Sequence, residues 1–172
     1  MENKKIRIAI SGKSGCGNTT VSCLTAEKLG IKFINFTFRS LAQEKGLDLR
    51  DVLEMAEKDD SWDREVDSRQ VSLTMKESCV LGSRLAIWLL PQADLKVYLK
   101  ASLETRAERI MRREGGILEE IARFTAERDN RDHERYLRLY GIDNDAFGFA
   151  DLVVDTDGLS PEDIVKMITS RV

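Results

Sequence analysis

The 172-residue sequence predicts an α/β protein in which a parallel sheet is covered by helices on both faces. Three observations carry that prediction. Short apolar runs, such as Ile6-Arg7-Ile8-Ala9-Ile10 and Leu95 to Leu99, alternate with charged segments of helical period. The first run leads straight into a glycine-rich stretch, 11-SGKSGCGNTT-20, and from there into a helix-forming segment. Only two prolines, Pro91 and Pro161, punctuate the chain, and no Ser/Gly-rich tract or repeat divides it, so residues 1–172 read as one domain.

Taken in order, Ile6 to Ile10 reads as a buried strand and Thr19 to Leu29 as a helix closed by Gly30, the residue suited to a left-handed C-cap. Ile31 to Phe36 is the second strand. Leu41 to Lys45 and Leu49 to Lys58 read as short helices, and Trp62 to Lys76 as a longer one carrying Asp63, Arg64, Asp67 and Arg69. Cys79-Val80-Leu81 and Leu85 to Leu89 look like strands about a turn at Gly82-Ser83, and Leu95 to Leu99 is a further strand. Leu103 to Glu114 and Leu118 to Tyr140 are charged helices separated by Gly115-Gly116. Leu152 to Asp155 is the last strand. Ser160 then caps a final helix with Pro161 at its first position.

Composition narrows the function. With 42% hydrophobic and 33% charged residues, a chain of this size buries roughly 70% of its unfolded surface in one core. A net charge of −3 gives no global reason to bind nucleic acid or an anionic membrane, so anion binding has to be local. Three cysteines at unrelated spacings fit neither a disulfide framework nor a zinc site. The stretch MENKKIRIAI has too short an apolar core for a signal peptide, and no segment approaches the ~18 apolar residues of a membrane span. The expectation is a cytoplasmic monomer acting on small molecules.

The glycine-rich stretch nearly matches the phosphate-binding pattern G-x-x-x-x-G-K-[ST], with Gly12, Gly17 and Thr19 in register. Glycines at 12, 15 and 17 allow close approach to phosphate, and the following helix offers free N–H groups. Lys13, Ser14, Cys16 and Thr20 complete the loop; Thr19 is placed to meet Mg²⁺ and Thr20 a phosphate oxygen. The lysine position holds Asn18, which donates hydrogen bonds but carries no charge. Losing one such preorganised donor typically costs about 3–4 kcal/mol. Lys13, five residues earlier, is a candidate replacement; K-S-G-C-G-N-T resembles deviant phosphate loops of the form K-G-G-x-G-K-T. The alternatives are a solvated surface lysine, or a strand–turn–helix unit that binds no nucleotide.

Arginines from separate segments are what two adjacent polyanions require. Arg39 follows the second strand, and Arg84 follows the Cys79-Val80-Leu81 strand. Arg106, Arg109, Arg112 and Arg113 share one helix beside Gly115-Gly116, which can hinge a closing lid. Arg128, Asp132 and Arg135 fall along one helical face. Charge-rich helices are commonly just solvated faces. His133 reads as a surface residue without a metal-ligating partner, and Trp62 and Trp88 as core anchors.

Several stretches together, IAISGKSGCGNTTVS, FTFRSLAQEKGL, DREVDSRQ, VLGSRLA, ADLKVYLKASLETRAERIMRRE, RYLRLYGID and DLVVDTDGLSPEDIV, resemble the short, archaeal-type cytidylate kinases among the P-loop nucleoside monophosphate kinases. The resemblance implies a P-loop NTPase-type fold with a small CMP-binding insert, about residues 38–76, and a helical lid, about residues 103–140. It implies transfer of the γ-phosphoryl of ATP to CMP or dCMP with Mg²⁺ as cofactor. Catalytic roles would fall to Lys13, Arg106, Arg109 and Arg128, and CMP binding to Arg39, Asp67, Arg84, Arg128, Asp132 and Arg135. The family pattern V-L-E-G-R-L-A reads Val80-Leu81-Gly82-Ser83-Arg84-Leu85-Ala86 here, so Gly82 replaces a glutamate near the metal. The rival functions are a CMP-binding protein with impaired kinase activity, and a kinase of another small acceptor such as shikimate.

Overall fold

The computed structural model describes residues 4–172; the first three residues of MENKKIRIAI lie outside the described residues. The strand β1 (Arg7–Gly12) takes the centre of the sheet because Ile8, Ala9 and Ile10 are apolar on both faces and are all fully buried. Around it stand β2 (Lys32–Ile34), β3 (Cys79–Gly82), β4 (Leu95–Lys100) and β5 (Leu152–Asp155) in the order β2-β3-β1-β4-β5, every pair parallel. Parallel neighbours need crossovers, and helices fill them. The helices are α1 (Asn18–Leu29), α2 (Phe38–Lys45), α3 (Leu49–Lys58), α4 (Ser61–Thr74), α5 (Ala86–Leu89), α6 (Leu103–Glu114), α7 (Leu118–Tyr140) and α8 (Pro161–Thr169).

Strand alternation divides the core between the two faces. Ile8, Ile10, Val80, Val97 and Val154 meet Val21 of α1 and Ile164 and Ile168 of α8 on one side. Ala9, Leu81 and Tyr98 meet Ile87 and Leu90 on the other. Each fully buried isoleucine or leucine contributes about 1.5–3 kcal/mol of transfer free energy. A smaller cluster of Phe36, Leu41 and Val66 holds the α2–α4 excursion together.

Caps set the helix ends as expected from the sequence. Gly30 closes α1 at φ 64°, and Ser160 with Asp163 forms a capping box around Pro161. Thr37 makes a second capping box with Ser40, so α2 begins at Phe38, earlier than the apolar pattern suggests, and β2 is correspondingly shorter. Leu85 to Leu89 corrects a sequence expectation: it forms the single helical turn α5 rather than a strand. The Ile87 N–H donates to Ser11 Oγ at 3.1 Å, and the apolar side chains pack down on the sheet instead of joining it. Gly115 and Gly116 separate α6 from α7, both with positive φ. Among the described residues no helix is long and apolar enough to cross a membrane.

The parallel order brings the carboxyl ends of β1, β3, β4 and β5 to one edge, which is where an open α/β sheet presents its ligands. The glycine-rich loop leaves β1 at that edge.

Candidate active site

Two glycines in the loop between β1 and α1 are dictated by the space around them. A Cβ on Gly12 would sit 2.8 Å from the Leu99 carbonyl oxygen of β4. Gly15 has φ +82° and lies against α6, where a Cβ would meet Arg106 Cβ and its carbonyl oxygen at 2.9 Å. The loop turns on a Cys16 N–H to Lys13 carbonyl bond of 3.1 Å and enters α1 at Gly17, φ 84°, with no side-chain cap. The first N–H groups of α1 therefore remain available to an anion. Cys16 points inward, and burial pushes its thiol pKa up, which keeps it an inert core residue.

Helix α6 is bolted to this loop. Arg106, almost fully buried, donates two hydrogen bonds to Asp129 of α7 at 3.1 and 2.8 Å and reaches the Ser14 carbonyl at 3.4 Å. Arg109 donates to the Gly15 carbonyl at 3.2 Å and to Thr156 Oγ1 and its carbonyl at 2.9 and 2.8 Å. Arg113 follows at i+4 from Arg109, on the same face, and opens onto the cleft, with only its neighbour Glu114, at 3.1 Å, as an ion-pair partner among the described residues.

The cleft over the loop has a volume of about 470 Å³ and is lined by the loop, by Asn18, Thr19 and Thr20, and by Arg84, Arg113 and Arg128. Arg128 forms no ion pair among the described residues. Partial desolvation, with Arg84 close by, presses its pKa down. Lys13 also lines the cleft, but its Nζ lies 2.7 Å from Asp145, whose carboxyl this bond holds below the ordinary range. Among the described residues no Asp or Glu lines this cleft.

A second pocket of about 180 Å³ adjoins it, and the two share Thr37, Phe38, Gln70, Ser83 and Arg84. Three of its charged lining residues, Arg84, Arg135 and Asp63, are joined in a chain through Asp132: Arg84 to Asp132 at 3.2 Å, Asp132 to Arg135 at 3.4 Å, Arg135 to Asp63 at 3.7 Å. Tyr140 donates to Asp67 at 2.5 Å from behind. Burial pushes the carboxyl pKa of Asp63 up against the pull of Arg135, and that of Asp67 up against the Tyr140 hydrogen bond. Two buried acceptors, Asp63 Oδ2 and Gln70 Oε1, have no hydrogen-bond partner among the described residues; the amide of Gln70 is fixed by a 2.7 Å bond to the Phe36 carbonyl.

The fold thus gathers Arg84, Arg128, Asp132, Arg135 and Asp67 around two adjoining spaces. Arg39 stands apart, exposed on α2 beside Phe38 and outside both walls. His133 is not partnerless: its Nδ1 lies 2.8 Å from Asn144 Oδ1 and 3.7 and 3.6 Å from Asp143 and Asp145. Sequence reasoning missed the partners that restrain the cations, namely Asp129, Asp145 and Thr156, and the pocket residues Asp63 and Gln70. Asp129 carries a faint signal, three residues before Asp132 on one helical face; Asp145 and Thr156, in loops, carry none.

Known proteins place this architecture. The shikimate kinase of Acinetobacter baumannii, solved in complex with shikimate, has a TM-score of 0.65 at 21% identity, over 98% of this chain and 93% of that one. A deoxyadenosine kinase from M. mycoides with bound dATP has a TM-score of 0.57 at 18% identity, over 96% and 98%. At such identities the likeness shows the fold, that of P-loop kinases. In sequence, the chain is 44% identical over 171 residues to a protein named cytidylate kinase 2 from Borreliella burgdorferi, covering 97% of this chain and 95% of that one. It is 38% identical over 174 residues to the cytidylate kinase of Pyrococcus horikoshii, covering 100% and 91%. The model of the cytidylate kinase-like family matches residues 7–158, the whole of the sheet and both arginine-bearing helices, and the chain belongs to that family.

Proposed function

We propose that the protein transfers the γ-phosphoryl group of ATP to CMP or dCMP, giving ADP and CDP or dCDP. The observation that carries this reading is the contiguity of the two spaces. A phosphate-loop cleft and a pocket for an acceptor share one wall, with Arg84 in both linings. Two polyanions held there would face each other across it. An oxygen of the acceptor phosphate attacks the γ-phosphorus in line, the bond to the β-bridging oxygen breaks, and ADP leaves. The acceptor is already an anion, so no side-chain base is required. The work is positioning and charge neutralisation, for which Arg84, Arg113, Arg128 and the loop N–H groups are placed.

Lys13 joins them when a triphosphate competes it away from Asp145, a partly exposed pair of the kind worth about 0–1 kcal/mol. Arg106 and Arg109 act through the framework, fixing the loop against α6. On the acceptor side, Arg135, Asp132 and Asp67 shape the pocket, and Arg39 reaches the acceptor phosphate by swinging in from the α2 surface. The unpartnered oxygens of Asp63 and Gln70 fit the amino donor that distinguishes cytosine from uracil.

A magnesium ion fits this site as a water-rich ion brought in by the triphosphate, since Thr19 lies exposed at the cleft and no carboxylate among the described residues lines it. Bound there, it would neutralise charge on the β and γ oxygens. Thr19 Oγ1 is the residue that would hold it. The reading carries with it a cytoplasmic monomer, a setting compatible with its three free cysteines.

An acceptor panel tests the proposal: ADP formation from ATP and Mg²⁺ with CMP, dCMP, UMP, AMP or shikimate. CMP or dCMP should give the highest kcat/KM; preference for any other acceptor would refute the assignment.

A further inference from the structure

The two departures at the loop, Asn18 and Gly82, meet in one side chain. Ser22, fully buried one turn along α1, donates its hydroxyl hydrogen to Asn18 Oδ1 at 3.2 Å. The same Ser22 fills the space beside β3 that a side chain at position 82 would need. A Cβ on Gly82 would lie 2.5 Å from Ser22 Oγ and 2.8 Å from Ser22 Cβ, with Phe33 closing the far side at 3.3 Å. Any residue but glycine at 82 therefore displaces the hydroxyl that holds Asn18.

The consequence lies at the cleft, which both Asn18 and Gly82 line. With Oδ1 engaged by Ser22, the other branch of the amide, Nδ2, is left as a donor with no partner among the described residues. We propose that Asn18 binds the outer phosphates of the donor nucleotide as a neutral hydrogen-bond donor, and that Ser22, seated by Gly82, is the positioning residue that turns its amide the right way. Positions 18, 22 and 82 form one unit, so the uncharged loop residue and the missing carboxylate are two consequences of one packing choice. The role rests on the phosphoryl-transfer reading above but concerns donor binding alone.

Calorimetry with a non-hydrolysable ATP analogue, imido-bridged between β and γ phosphorus, tests this in the presence of Mg²⁺. A hydrogen bond to a charged phosphate is worth enough that Ser22→Ala and Asn18→Ala should each weaken binding about tenfold. The double variant should be no weaker than Asn18→Ala alone, because Ser22 acts only through Asn18. Asn18→Asp still accepts the Ser22 hydroxyl but has no N–H to offer, and should lose more than Asn18→Ala. Gly82→Ala should reproduce the Ser22→Ala loss, and CMP affinity should stay constant throughout. Thermal unfolding of each variant separates these effects from misfolding, the Ser22→Ala change being a truncation that keeps Cβ in place. Wild-type affinity in Ser22→Ala, or losses that add in the double variant, would overturn the proposal. Wild-type protein that binds the analogue yet transfers nothing to CMP would instead sink the phosphoryl-transfer reading and leave this one standing.

Discussion

Eight arginines in this chain read as candidates for phosphate, and their neighbours sort them. Arg106 is buried against Asp129, while Arg128 stands at the cleft wall with no ion pair among the described residues. Arg128→Ala should lower kcat/KM for CMP phosphorylation about 10²–10³-fold, the scale of losing one preorganised donor, with thermal stability hardly changed. Equal losses of stability and activity would mark it as a framework residue. Lys13 poses the opposite case, a cation restrained at rest. Asp145→Asn removes its partner, a partly exposed pair worth ~0.2–1 kcal/mol, and should tighten ATP binding by up to about fivefold.

The same substitution has a pH signature. The Lys13 hydrogen bond lowers the Asp145 pKa below its usual 3.8, so the stability it supplies is present above that value and is lost as pH falls through the lowered one. The acid limb of a stability profile should be flatter in Asp145→Asn. Asp63 and Asp67 work with the reverse sign, their burial-raised pKa values favouring the folded state only while they are protonated. The loop's phosphate chemistry could be read from Gly12, Gly17 and Thr19 because the motif is local. Which cation is free could not, since Asp129 and Asp145 reach their partners across 23 and 132 positions of chain.

At the scale of elements, the sequence periodicity finds nearly every helix and strand, and its one misassignment has a clear cause. Leu85 to Leu89 is a short apolar run, buried either way, and period alone cannot tell a buried strand from a buried turn of helix. Only the Ser11 hydroxyl beneath the Ile87 N–H decides it. The relation of α6 to the loop was equally hidden. The family resemblance implies a lid over about residues 103–140; within it Arg106 and Arg109 tie α6 to Ser14, Gly15 and Thr156, and Arg106 also joins α6 to Asp129 of α7. Arg106→Ala should destabilise the protein by about 3 kcal/mol, leaving the largely buried Asp129 unpaired, as urea unfolding would show. A cost below about 1 kcal/mol would mean that α6 and α7 are held together by other contacts.

For the whole molecule, the alternation of strand and helix predicts the parallel sheet, and the loop position predicts its working edge. The strand order β2-β3-β1-β4-β5 was not readable from the sequence, because it depends on which apolar strands bury each other rather than on local pattern. That order sets the two spaces side by side: β1 delivers the phosphate loop while β3, its neighbour, delivers Arg84 into both. In the proposed reaction, the phosphoryl group held by a loop without lysine crosses that shared wall to CMP. Incubating the protein with γ-labelled ATP, Mg²⁺ and CMP, and following the label, tests it most directly. Label is expected in the β-phosphate of CDP; CMP that binds while the label stays in ATP or appears only as inorganic phosphate would rule out transfer across that wall.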